Sequence, residues 1–118
     1  MIDHFNLPVR DLVAARAFYD RVLATLGKGV LATEDGAVGY GTRSWQFGLE
    51  QVAAPIPPLH LAFQAASRAQ VDAFYEAACA AGATCNGAPG ERPQYGAEYY
   101  ACFVLDPDGH NTEAVFRG

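Results

Sequence analysis

A chain of 118 residues, 51% of them hydrophobic, has enough apolar material for one domain with its own core. Eight Lys and Arg against thirteen Asp and Glu give a formal net charge of −5, which argues against a nucleic-acid surface, and no basic run marks a membrane surface. Neither a charged-then-apolar leader nor an apolar stretch of about 18 residues is present, so a soluble, cytoplasmic protein is expected. Cys79, Cys85 and Cys102 are odd in number and lack C-x-x-C spacing. They read as reduced thiols, most of them small buried hydrophobes.

The first predicted element is a strand in Ile2-Asp3-His4-Phe5-Asn6-Leu7-Pro8-Val9, where Phe5, Leu7 and Val9 share one face and His4 and Asn6 the other. Asp11 caps a helix to about Leu26, with Phe18, Val22 and Leu26 at helical spacing and Gly27 as its stop. Short strands are predicted at about 29–33, 37–41 and 44–50, and in the last of them Trp45 and Phe47 read as core. Val52 to Pro58, with three prolines, breaks the chain. Leu59, Leu61 and Phe63 then alternate with His60, Ala62 and Gln64 as a new strand. Ser67, with Gln70 three residues on, opens a second helix whose apolar face is Val71, Phe74 and Ala78; Gly82 ends it. Thr84 to Gly96 is loop-rich. A strand follows over about Tyr99–Leu105, then the turn Asp106-Pro107-Asp108-Gly109 and a last strand over about Asn111–Phe116.

The two halves repeat. His4 precedes Phe18 of Ala17-Phe18-Tyr19-Asp20 as His60 precedes Phe74 of Ala73-Phe74-Tyr75-Glu76, and both pairs are offset by 56 residues. Each half reads βαβββ. The expectation is a single α+β domain spanning 1–118, built from modules of about 1–51 and 59–118 whose sheets close a curved, half-barrel cleft of mixed strands.

The pleat places His4 and His60 on the sheet face away from the helices, and Glu113 on the corresponding face of the last strand. Two imidazoles and one carboxylate suit a divalent Fe, Mn, Ni or Zn with positions open for water and substrate. The alternative is that each is a polar residue lining a metal-free ligand cavity. His110 reads as exposed and structural. In the loop from Asn86 to Tyr95, Arg92 is a candidate for an anionic oxygen, and Tyr95, Tyr99 or Tyr100 for the pocket wall. An exposed Arg with tyrosines packing the loop explains the same residues.

The chain resembles the vicinal oxygen chelate superfamily, the glyoxalase, bleomycin-resistance and extradiol-dioxygenase group. The matching stretches are His4-Phe5-Asn6-Leu7-Pro8-Val9-Arg10-Asp11-Leu12, Ala17-Phe18-Tyr19, Leu59-His60-Leu61-Ala62-Phe63 and Phe103-Val104-Leu105-Asp106-Pro107-Asp108-Gly109-His110-Asn111-Thr112-Glu113. The resemblance implies a glyoxalase-like fold and a divalent metal between the modules, held by His4, His60 and Glu113. It also implies a homodimer in which modules can pair between subunits. Where glyoxalases carry a glutamate that binds the metal and acts as base, this chain places Gly48. Glu50 lies two residues along, about 6.5 Å away by strand rise, and reaches that place only through a bulge. It is the one candidate base. The implied function is metal-dependent lyase, isomerase or dioxygenase chemistry on a small molecule, other than glyoxalase I activity. The alternative is a metal-free sequestering protein of the bleomycin-resistance type.

Overall fold

The computed structural model describes residues 1–118. Strand β1 (Phe5–Val9) leads into helix α1 (Leu12–Ala24), followed by β2 (Gly29–Glu34), β3 (Ala37–Gly41) and β4 (Phe47–Gln51). Strand β5 (His60–Gln64) and helix α2 (Arg68–Ala80) repeat the opening, followed by β6 (Thr84–Glu91), β7 (Tyr99–Leu105) and β8 (Asn111–Arg117). Each half forms its own four-stranded mixed sheet, ordered β1-β4-β3-β2 and β5-β8-β7-β6, with the first and last strands of each module parallel. The two βαβββ modules are therefore present.

Local chemistry explains the helix limits. The Asp11 carboxylate accepts from the N–H groups of Val13 and Ala14, at 3.0 and 3.2 Å, satisfying two donors that the first turn leaves free. Ser67 Oγ accepts from Gln70 N–H at 3.1 Å, while the Gln70 side chain reaches back to Ala66 rather than closing the box on Ser67. Gly27 and Gly82 take positive φ of 75° and 91° beyond the helix ends, as C-terminal turns require.

Both helices lie on one face of their sheets, and a single core runs through the two modules. Leu7, Val9, Phe18, Tyr19, Val22 and Leu49 contribute from the first, and Val71, Phe74, Ala78, Cys102, Val104 and Ala114 from the second. Phe47 and Phe63 meet edge-on across the modules, their ring centres 4.9 Å apart. Burying one such ring contributes roughly 1.5–3 kcal/mol. Cys102 is buried, its thiol pushed up to about 12 mainly by burial. Cys79 and Cys85 are exposed, contrary to the reading of most cysteines as buried.

Three further sequence expectations change. Thr84 to Glu91 is a strand, but its pairing with β7 slips twice, between Cys85 and Gly87 and between Gly87 and Gly90. Those glycines and Pro89 made it look like loop. Trp45 does not join Phe47 in the core: the chain bends ahead of β4, and the indole turns to the other face of the sheet. His110 is structural, as expected, but fully buried rather than exposed.

The turn ending in His110, with Asp106 and His110 buried, ties the modules together. Asp106 Oδ1 accepts from Asp108 N–H and His110 N–H at 2.9 and 2.8 Å, and Oδ2 accepts from the Tyr19 hydroxyl of α1 at 2.6 Å. His110 Nδ1 accepts from Leu59 N–H at 2.9 Å, which leaves its Nε2–H to donate to Pro8 O of β1 at 3.1 Å. Asp108 Oδ1 accepts from Arg10 N–H at 3.1 Å.

Candidate functional site

The strand ladders show where the repeat places equivalent side chains. Asn6 pairs with Gly48 on β1–β4, and Ala62 pairs with Glu113 on β5–β8. Asn6 and Ala62 stand at the same 56-residue offset as His4 and His60, so Gly48 is the counterpart of Glu113. The β1–β4 and β3–β4 ladders run without a register shift. Glu50 consequently stays two residues beyond Gly48, exposed and opposite Pro8, and no bulge carries it back.

In the second module the expected pair comes together. His60 Nε2 lies 2.9 Å from Glu113 Oε1. The Glu113 carboxylate is buried to 2% exposure, whereas His60 is open to solvent. Tyr99 on β7 donates its hydroxyl to Glu113 Oε2. Burial first, and the Glu113 hydrogen bond second, push the Tyr99 phenol up to about 12, so it remains a donor at neutral pH. An imidazole nitrogen beside a carboxylate oxygen is a donor set that fits a divalent cation.

These groups floor a cavity of about 910 Å³ lined by second-module residues alone, among them Arg92, Tyr95, Tyr99, Asn111 and Arg117. Arg92 and Tyr95, two of the candidates for substrate contact, line this cavity. Tyr100 does not. Strand alternation turns it to the helix side, where its hydroxyl donates to Asp72 at 2.6 Å and Arg68 stacks on its ring. Tyr99, its neighbour, takes the cavity position. Asn111 and Arg117 were not singled out, although both share Glu113's side of β8 at two and four residues' distance.

His4 stands apart from this pair within one chain. It precedes β1, is exposed and bonds Asp3 at 2.8 Å. Its face of the first module is occupied by Trp45. The indole N–H donates to Asn6 Oδ1 at 2.7 Å, and the ring lies flat on Gly39 and Gly48. A methyl group would approach the ring to 2.2 Å at Gly39 and 2.5 Å at Gly48. Where the second module presents Glu113, the first therefore presents an indole. Gly48→Ala is expected to displace the ring, cost about 1–3 kcal/mol, and red-shift the emission of this single tryptophan. Unchanged fluorescence and stability would show that Trp45 is not seated there.

Asp106, Asp108 and His110 also bring one ligand atom each within 4.8 Å of one another, close enough for a cation. Both His110 nitrogens and both Asp106 oxygens are also hydrogen-bonded, to Leu59, Pro8 and Tyr19 outside the turn and to the turn's own Asp108 and His110 N–H groups.

The family model described as the Glyoxalase/Bleomycin resistance protein/Dioxygenase superfamily matches residues 1–114. Among solved structures, the chain is similar to a glyoxalase/bleomycin resistance protein from Albidiferax ferrireducens T118, at 32% identity over 98% of both chains with a TM-score of 0.84. A glyoxalase/bleomycin resistance protein/dioxygenase family enzyme from Burkholderia phytofirmans PsJN shares 24% identity over 99% of this chain and 98% of that one, with a TM-score of 0.76. A putative glyoxalase from Bacillus halodurans shares 24% over 98% and 95%, with a TM-score of 0.77. No curated protein matches the chain.

Proposed function

Because the chain belongs to the glyoxalase/bleomycin resistance protein/dioxygenase superfamily, we propose that it is a divalent-metal-dependent enzyme acting on a small molecule through neighbouring oxygens. The observation that carries this reading is the 2.9 Å approach of His60 Nε2 to Glu113 Oε1 on the floor of an open cavity. His60 and Glu113 would hold the ion, an Fe, Mn, Ni or Zn, together with His4. When bound, it would supply Lewis acidity toward substrate oxygens.

His4 reaches such a site from a second copy of the chain. The chain exposes Met1, Ile2, Phe5, Val30 and Leu31 of its first module, apolar residues suited to burial in a homodimer. Pairing module one of one copy with module two of the other gives two equivalent sites by symmetry.

The chain's own residues then have distinct tasks. Tyr99 holds one Glu113 oxygen, so the other faces His60. Gly48 offers no carboxylate to a substrate proton, and Glu50 lies beyond the approach of about 3 Å that a base needs. Lyase or dioxygenase chemistry, or an isomerisation without that base, fits better than glyoxalase I activity. The cytoplasm, where the thiols stay reduced, is the proposed compartment; no helix is long and apolar enough to cross a membrane. A second reading, a metal-free sequestering protein, is favoured by the indole in place of the fourth ligand. Metal analysis of dimer purified without chelator separates them: about one ion per chain supports the enzyme, and none supports sequestration.

A further inference from the structure

Two guanidinium groups stand over the second-module cavity without a carboxylate partner. The four ion pairs of the chain are His4–Asp3, Arg16–Asp20, His60–Glu113 and Arg68–Glu91, and neither Arg92 nor Arg117 is among them. Each is instead held against an aromatic ring of the cavity. Arg117 stacks 4.7 Å over the Tyr99 ring, and Arg92 lies 5.4 Å over Phe103.

The seat of Arg92 is built into the backbone of β6. Its guanidinium folds back across Gly87 and Gly90, where added methyl groups would lie 3.2 and 3.0 Å from its nitrogens. Nη2 donates to Ala88 O at 2.7 Å, which fixes the plane of the group and leaves other N–H donors free. The composition that made this segment look like loop thus makes room for a cation. The only acid lining the cavity, Glu113, is already engaged by His60 and Tyr99. In a chain of net charge −5, this is a local concentration of positive charge.

A third residue lines the same space. Asn111 sits beside His60 across the β5–β8 ladder, and its Oδ1 is buried without a hydrogen-bond partner. A buried acceptor left unpaired is costly; a half-turn of the carboxamide would exchange Oδ1 with Nδ2 and bring the acceptor to the cavity, where a ligand hydroxyl would satisfy it.

We propose that the cavity binds a small hydroxylated oxyanion, with its carboxylate or phosphoryl group between Arg92 and Arg117 and its hydroxyl donating to Asn111 Oδ1. This names the substrate class of the proposed enzyme and rests on that site, but the binding itself does not require the metal. The same chemistry is offered by a hydroxy acid and by a sugar phosphate.

The test is calorimetric titration of glycerate, glycerol 3-phosphate and glycerol into full-length protein dialysed free of metal and chelator. At low ionic strength the anions are expected to bind with a Kd of about 1 mM or tighter, and glycerol not to bind. The tighter anion identifies the source of the group. Arg117→Gln and Arg92→Gln should each weaken binding about tenfold, with Arg92→Lys retaining more than Arg92→Gln. Glycerate should bind better than propionate, and Asn111→Ala should erase that difference. Glycerol binding as well as the anions, or both Gln variants binding within about twofold of the parent, would overturn the proposal. Anion binding by a chain that takes up no metal would refute the metalloenzyme reading alone. Metal uptake without anion binding would refute this one alone.

Discussion

Replacing His60 by alanine is expected to lower divalent-metal affinity by at least about 100-fold while leaving the fold intact. The imidazole is 55% exposed, so little packing is lost with it. Glu113→Gln keeps the shape of the side chain and an acceptor for Tyr99 but removes the charge, and metal affinity should fall comparably. Competition against a chromophoric chelator measures both variants, and circular dichroism checks their folding. Stoichiometric binding of unchanged affinity in folded His60→Ala would remove His60 from the site and place any metal elsewhere.

The largest expected effect on stability belongs to a residue outside that site. Asp106→Ala should destabilise the protein by about 3 kcal/mol, because it strips hydrogen bonds from Tyr19, Asp108 and His110, and the buried Tyr19 hydroxyl and His110 N–H lie where water cannot replace them. The melting temperature should fall by roughly 10 °C. The Tyr19 hydroxyl would keep its contact with Thr112 Oγ1 at 3.1 Å, which limits the loss. The measurement is urea and thermal unfolding of metal-free protein. If Asp106, Asp108 and His110 instead formed a cation site, added divalent ion would stabilise the parent but not the variant. The loss in metal-free protein would also be small, since removing one of three crowded acceptors relieves repulsion.

Most of the architecture was legible because the repeat is written in residues with a physical job. Asp11 and Ser67 cap helices 56 residues apart, Gly27 and Gly82 end them, and Phe18 and Phe74 enter the core from the same helical position. The period-2 pattern put His60 and Glu113 on one face, and the ladder brings them together. It failed for Trp45, since a bend before β4 breaks the alternation that the reading assumed. It failed for β6, where room for Arg92 required glycines in a strand. Tyr95, Tyr99 and Tyr100 are alike in residue type, and only the strand's register separates Tyr99 in the cavity from Tyr100 against α2. His110 looked exposed from its place in a polar turn, since its partners, Leu59 and Pro8, lie far from it in the chain. The proposed meeting of His4 with His60 would be a matter of how modules pair between copies, and no local pattern encodes that.

The proposed metal site takes His60 and Glu113 from one chain and His4 from another. It is tested most directly by unfolding His4→Ala and His60→Ala proteins together and refolding the mixture. Each variant refolded alone should bind almost no metal. A shared site predicts that mixed dimers regain one intact site, so random mixing restores about a quarter of the parental metal content. If both variants alone are empty and the refolded mixture stays empty although mixed dimers form, the site does not draw on two chains.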